Sequence, residues 1–245
     1  MSLPGFLLSR LFPMKLFDNL SPRLVVVCLA TVFLMEWSAS TQAQTVPRPD
    51  DSDIQDWNEL QVSKRIHPQV DVMISGALRF GSNLTHFDDG RFGGQMTLRL
   101  NKFISFSPGC FYVSSHPEFK THTPEVRFVE AINFSLPYKR FEISNRHQFE
   151  QRNFLTSRPD FSRYRNRVQV EYKLEQRERP VTLIGSAEWF YNLTTGDWFR
   201  SRIGGGIRKQ LTHQLSVETM YIHQSDSVST PGVVHIISSI FRVRL

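Results

Sequence analysis

From residue 57 to the C-terminus, apolar and polar side chains exchange places at nearly every step, the two-residue period of a strand, and no stretch of comparable length holds the 3.6 period of a helix. In "RYRNRVQVEYKL", 163–174, one parity carries Arg163, Arg165, Arg167, Gln169, Glu171 and Lys173, the other Tyr164, Asn166, Val168, Val170, Tyr172 and Leu174. The run 141–152 repeats the arrangement, with Glu142, Ser144, Arg146, Gln148, Glu150 and Arg152 against Phe141, Ile143, Asn145, His147 and Phe149. Eleven such runs are found: 57–66, 69–81, 95–101, 104–114, 125–136, 141–152, 163–174, 181–192, 200–210, 215–224 and 233–245. Most reach ten residues or more, long against the usual strand of about 5–6.

The connections alternate in length. "HP", "KF", "PYKR", "EQRER" and "LTHQ" are tight, whereas "SNLTHFDDGRFGG", "SHPEFKTHTP", "NFLTSRPDFS", "LTTGDWF" and "SDSVSTPG" are longer, polar and rich in turn formers. Short turns at one end and long loops at the other predict an all-β chain, an up-and-down antiparallel transmembrane β-barrel of about 10–12 strands. A soluble sandwich or lipocalin-like barrel would also alternate, but it needs an apolar interior, and here the second parity is full of arginine and glutamate. Barrels of this class have an even strand number. The eleven runs therefore imply a further strand within 44–56, or a first run that does not cross the membrane. The C-terminal "IISSIFRVRL" points Phe241, Val243 and Leu245 one way and Arg242 and Arg244 the other, the form of signal that the barrel insertion machinery reads, although Leu245 stands where phenylalanine is usual.

Composition narrows the class further. The 245 residues include 20 Phe and carry a net charge of +6, but the arginines recur at strand spacing and form no basic helical face, so nucleic acid is not an expected partner. Arg23, the apolar run "LVVVCLATVFL" at 24–34 and the small residues of "SASTQAQ" at 38–44 have the layout of a secretory signal, with cleavage expected near Thr41 and Ala43. The expected organisation is a signal peptide at 1–43, an extended lead-in at 44–56 and a barrel domain at 57–245. Cys28 falls in the signal, and the single remaining Cys110 permits no internal disulfide. The expected location is the outer membrane of a Gram-negative bacterium, with its lipids as surroundings.

Three strand patterns, "DWNELQVSKRI" at 56–66, "RYRNRVQVEYKL" with "AEWFYN" at 187–192, and the closing strand, resemble the bacterial family called DUF2490. The resemblance spans nearly the whole mature chain. It implies an outer-membrane barrel and brings no established activity with it.

Two sets of residues could carry function. Arg146, Arg163, Arg165, Arg167 and Arg202 would line the lumen and favour anions, or would close it by pairing with Glu142, Glu150, Glu171 and Glu188. The expected role is structural, or that of a narrow and largely closed pore with a charged lumen. The alternative is an acyl hydrolase acting on phospholipid or lipid A, because "MYIHQSDS" at 220–227 places His223 and Ser225 on one face, where histidine could activate serine. Asp226, Glu218 and Glu188 are the carboxylates that could orient that histidine. No metal or cofactor is expected: His67, His86, His116, His122, His147, His213, His223 and His235 lack ligand spacing, and "GGG" at 204–206 opens no helix, so it reads as close packing within a strand.

Overall fold

The computed structural model describes residues 52–116, 122–174 and 180–245. The expected signal segment, with Cys28, Thr41 and Ala43, lies outside the described residues. Every regular element among them is a strand: β1 (Ser52–His67), β2 (Val70–Gly81), β3 (His86–Arg99), β4 (Ile104–Ser115), β5 (Thr123–Tyr138), β6 (Phe141–Phe154), β7 (Phe161–Lys173), β8 (Val181–Asn192), β9 (Asp197–Gln210), β10 (Leu215–Asp226) and β11 (Val233–Arg244). Each strand is bonded to its sequence neighbours and β1 to β11, so the sheet closes on itself and leaves no edge.

The even strand number that barrels of this class normally have does not hold here. Ten ladders are antiparallel. The eleventh, β1 against β11, is parallel, from Ser52 beside Val233 to Ser63 beside Arg244. A ring of alternating directions with an odd number of members must contain one pair that runs the same way, and this seam is that pair. No hidden strand is needed, and all of the first runs belong to the wall.

Two boundaries move. β1 starts at Ser52, inside the stretch expected to be a lead-in, because its alternation puts Asp53 and Gln55 inside the barrel. There the Asp53 carboxylate accepts from the Asn83 backbone N–H and the Gln55 side chain, both at 2.8 Å. β3 starts at His86, and most of the loop expected before 95 is strand. Ser82, Asn83 and Leu84 adopt φ of 50°, 54° and 70°, which compresses the connection into a tight left-handed turn. Its glycines serve packing: a Cβ on Gly93 would sit 2.3 Å from the Cys110 carbonyl oxygen, so only glycine lets β3 approach β4.

The two faces differ as the alternation requires. Leu60, Ile74, Phe92, Phe128 and Ile203 point outward, each at least half exposed. Glu125, Glu150, Arg163, Glu188 and Glu218 point inward and are buried, together with Phe111, Val113, Phe190, Met220 and Ile236. The interior also takes apolar side chains, with Phe111 and Val113 buried on β4 and Val234 and Ile236 on β11.

The seam is directly testable. With Cys110 replaced by serine, Asn58→Cys and Ser239→Cys occupy partner positions on the outer side of β1 and β11, and oxidation should join them, because neighbouring strand positions fall within disulfide reach. Asn58→Cys with Ile240→Cys, on opposite faces, should stay reduced under the same oxidant. Failure of the first pair to close would contradict the parallel seam.

Candidate functional site

The lumen is crossed by a network of ion pairs centred on β6 to β9. Arg163, Arg165 and Arg167 leave β7 on its inner face, with Glu150 opposite Arg163 on β6 and Glu188 opposite Arg167 on β8. Arg163 Nε donates to Glu150 Oε2 at 2.5 Å. Arg165 spans both acids, donating to Glu188 Oε1 at 2.6 Å through one terminal nitrogen and to Glu150 through the other. Arg202 Nη1 lies 3.5 Å from Glu188 and its Nε donates to Gln224 at 2.7 Å. Arg146 Nη2 is 3.9 Å from Glu188.

Aromatic rings hold the remaining faces of these guanidiniums. Phe190, with no solvent exposure, has Arg165 and Arg202 each 4.7 Å from its ring centre and Arg163 at 5.4 Å. Arg202 also lies 4.8 Å from Trp57, whose other neighbour Arg79 is at 4.0 Å. Arg202 thereby ties β9 to β1 across the two strands between them.

The other sequence candidates fall into place around this hub. Glu171 takes Arg208 at 2.8 Å. Glu142 forms no ion pair among the described residues and stands beside Glu171. Arg167 stands opposite Arg146, and its buried Nε has no hydrogen-bond partner. In the middle of the lumen, then, Arg146, Arg163, Arg165 and Arg202 share the two carboxylates of Glu150 and Glu188, with Arg167 as a fifth guanidinium beside them. On the outer face, Phe241 and Leu245 are exposed and Leu245 N–H donates to the Ser63 carbonyl at 2.9 Å; Val243 shares that face.

Several members were missed in the sequence. Glu125, fully buried, accepts from Arg152 at 2.7 Å and from Arg127. Glu218 takes Arg208 at 2.8 Å and Arg242 at 2.7 Å, Asp226 takes Arg200 at 2.6 Å, and Glu59 takes Arg91 at 2.6 Å. The signal is present in the residues, because Glu125 and Arg127 are two apart like the β7 arginines.

The serine and histidine candidates do meet: Ser225 Oγ is 3.4 Å from His223 Nε2, on the outer wall beside the loop that joins β10 to β11. None of the three carboxylates considered for orienting His223 shares its side of the wall. Asp226, Glu218 and Glu188 all point inward, and each is tied to arginine. His223 instead neighbours the His235 ring at 5.3 Å, and His235 Nδ1 lies 2.7 Å from the Tyr221 hydroxyl. Among the described residues the pair has no orienting acid.

A family model, described as protein of unknown function DUF2490, matches residues 54–234. The chain belongs to the DUF2490 family. A search of the curated proteins found no match to it. Among solved structures, the anion-selective porin from Comamonas acidovorans is similar at 8% identity with a TM-score of 0.34, over 70% of this chain and 55% of the porin. The match thus spans about half the porin's length. In this DUF2490 barrel no group of three metal-binding side chains occurs among the described residues. The His116 and His122 rings stack at 4.2 Å near the rim, whereas His147 lies in the middle of β6 and not at a turn.

The network sets a stability prediction. Glu188→Leu removes the carboxylate that Arg146, Arg165 and Arg202 share, and loss of one partner of a buried pair costs about 3–5 kcal/mol. Urea unfolding from lipid vesicles, followed by tryptophan fluorescence, should register a loss of that size, while Lys102→Ala in an exposed turn should change stability by less than about 0.5 kcal/mol.

Proposed function

We propose that this DUF2490 chain is an outer-membrane β-barrel that acts as a structural element or a narrow pore, closed at rest by its own ion-paired lumen. The membrane part of the reading is supported by the outer wall, where Leu60, Ile74, Phe92, Tyr112, Phe128 and Phe149 are exposed on the successive strands β1 to β6. No water-soluble surface gains from so continuous an apolar band. Tyr138, Phe141 and Tyr172 lie together at one end of the wall, with Trp198 and Tyr191 at the other, as interfacial girdles do.

The observation that carries the closed reading is the Arg–Glu–Phe190 network across the barrel. About eight strands already enclose only enough room for side chains. Eleven strands give somewhat more, and here that room is taken by guanidiniums linked from wall to wall. The excess of arginine over carboxylate in the middle of the lumen favours anions for whatever does pass. The acyl-hydrolase alternative finds no orienting carboxylate beside His223 among the described residues and is not adopted.

Planar-bilayer recording on the purified mature chain tests both halves. Wild type should show no large steady step, and any brief small openings should favour anions in a salt gradient. Arg146→Ala with Arg167→Ala should shift that preference toward cations. A large unselective wild-type conductance would contradict the closed lumen, and a cation preference in wild type would contradict the arginine excess.

A further inference from the structure

The outer wall carries a polar patch on β5 to β7. On β5 the inner face is Arg127, Val129 and Ala131, all buried, and the outer face is Phe128, Glu130 and Ile132, all exposed. Glu130 is near the middle of its strand and makes no hydrogen bond or ion pair among the described residues. Away from the strand ends it is the one outward carboxylate of β2 to β11 among those residues. On β6 and β7 beside it, Asn145, His147 and Asn166 also face outward at mid-wall. Asn166 donates to Asn145 Oδ1 at 2.9 Å and lies 3.2 Å from His147 Nδ1. Asn166 is completely buried, yet its own Oδ1 has no partner. His147 Nδ1 is 2.6 Å from the Tyr164 hydroxyl.

The backbone is irregular at the same place. The β3–β4 ladder passes from Gln95 beside Gly109 directly to Leu98 beside Phe106, and Pro108, which cannot donate to a ladder, is the neighbour of Glu130. Lipid tails offer these groups neither hydrogen bonds nor a counter-charge.

Resting on the outer-membrane reading above, we propose that the β4–β7 wall is the contact face between two copies of this chain. The patch carries an acid and a base on adjacent strands, Glu130 on β5 and His147 on β6, the latter beside Ile132. A two-fold axis along the barrel, passing between those strands, sets each Glu130 against the other copy's His147. Such a surface is complementary to itself, which is what a two-fold dimer requires. Phe128, Ile132 and Phe149, exposed around the polar centre, supply the apolar contact.

Cys110, exposed on the outer face of β4 beside Phe128, makes the proposal measurable in the native chain. Outer membranes carrying wild-type protein are treated with a flexible bismaleimide, and Ile132→Cys in a Cys110→Ser background provides a second probe nearer the axis. Expected is a band at twice the monomer mass from both probes, lost when Glu130→Leu and His147→Leu are added, while that variant keeps its heat-dependent gel shift and sediments as a monomer in detergent. A heat-modifiable barrel in the membrane that gives no crosslinked pair would overturn the dimer alone. So would a pair that survives the leucine substitutions, or a crosslink to a different protein. A chain absent from the membrane and without a gel shift would overturn the outer-membrane reading itself, and the dimer with it.

Discussion

A guanidinium taken out of water must find a carboxylate, an amide oxygen or an aromatic face, and the interior of this barrel is organised around that demand. Glu188 and Glu150 answer it for Arg163, Arg165 and Arg202, with Phe190 filling the space between them. The same constraint fixes the register of the wall. A slip of one residue between β7 and β8 would send every β7 arginine into the outer band and bring Tyr164, Val168 and Val170 inside. Buried pairs are weak sources of stability against an apolar core of equal volume, but they penalise every alternative pairing. The fold therefore gains specificity from the ion pairs inside the barrel.

Closure imposes the second constraint. With eleven strands the ring cannot alternate throughout, and the parallel β1–β11 seam absorbs the mismatch without a gap. Its cost is small, because parallel pairing is only slightly weaker per residue than antiparallel pairing. The seam is also crossed inside the barrel: Arg242 of β11 donates to Gln61 of β1 at 3.1 Å and to Glu218 of β10 at 2.7 Å. Side chains that serve the lumen thus also hold the joint.

Much of this was legible in the residues. Two-residue alternation gave the strands, and sorting 163–174 by parity separated an inner from an outer face. What was lost has physical causes. Ser52–Asp56 looked like a linker because its inner residues are polar, yet a polar inner residue is what this lumen accepts. The start of β3 was hidden by Gly90, Gly93 and Gly94, which read as loop when only their conformational freedom is considered; Gly93 is there because a strand carbonyl passes where its side chain would be. Strand parity could not be settled by counting, since the direction of the closing pair is a property of the ring and not of any run. The mid-wall cluster of Asn145, His147 and Asn166 was visible on the apolar parity, but only the cross-strand register brings those side chains together beside Glu130.

The most direct measurement is gel mobility of the mature chain from separated membrane fractions, unboiled and boiled, because a closed barrel with a paired interior resists detergent until heated. The account predicts a chain in the outer-membrane fraction that runs faster unboiled than boiled. A soluble periplasmic chain with identical mobility in both lanes would contradict it.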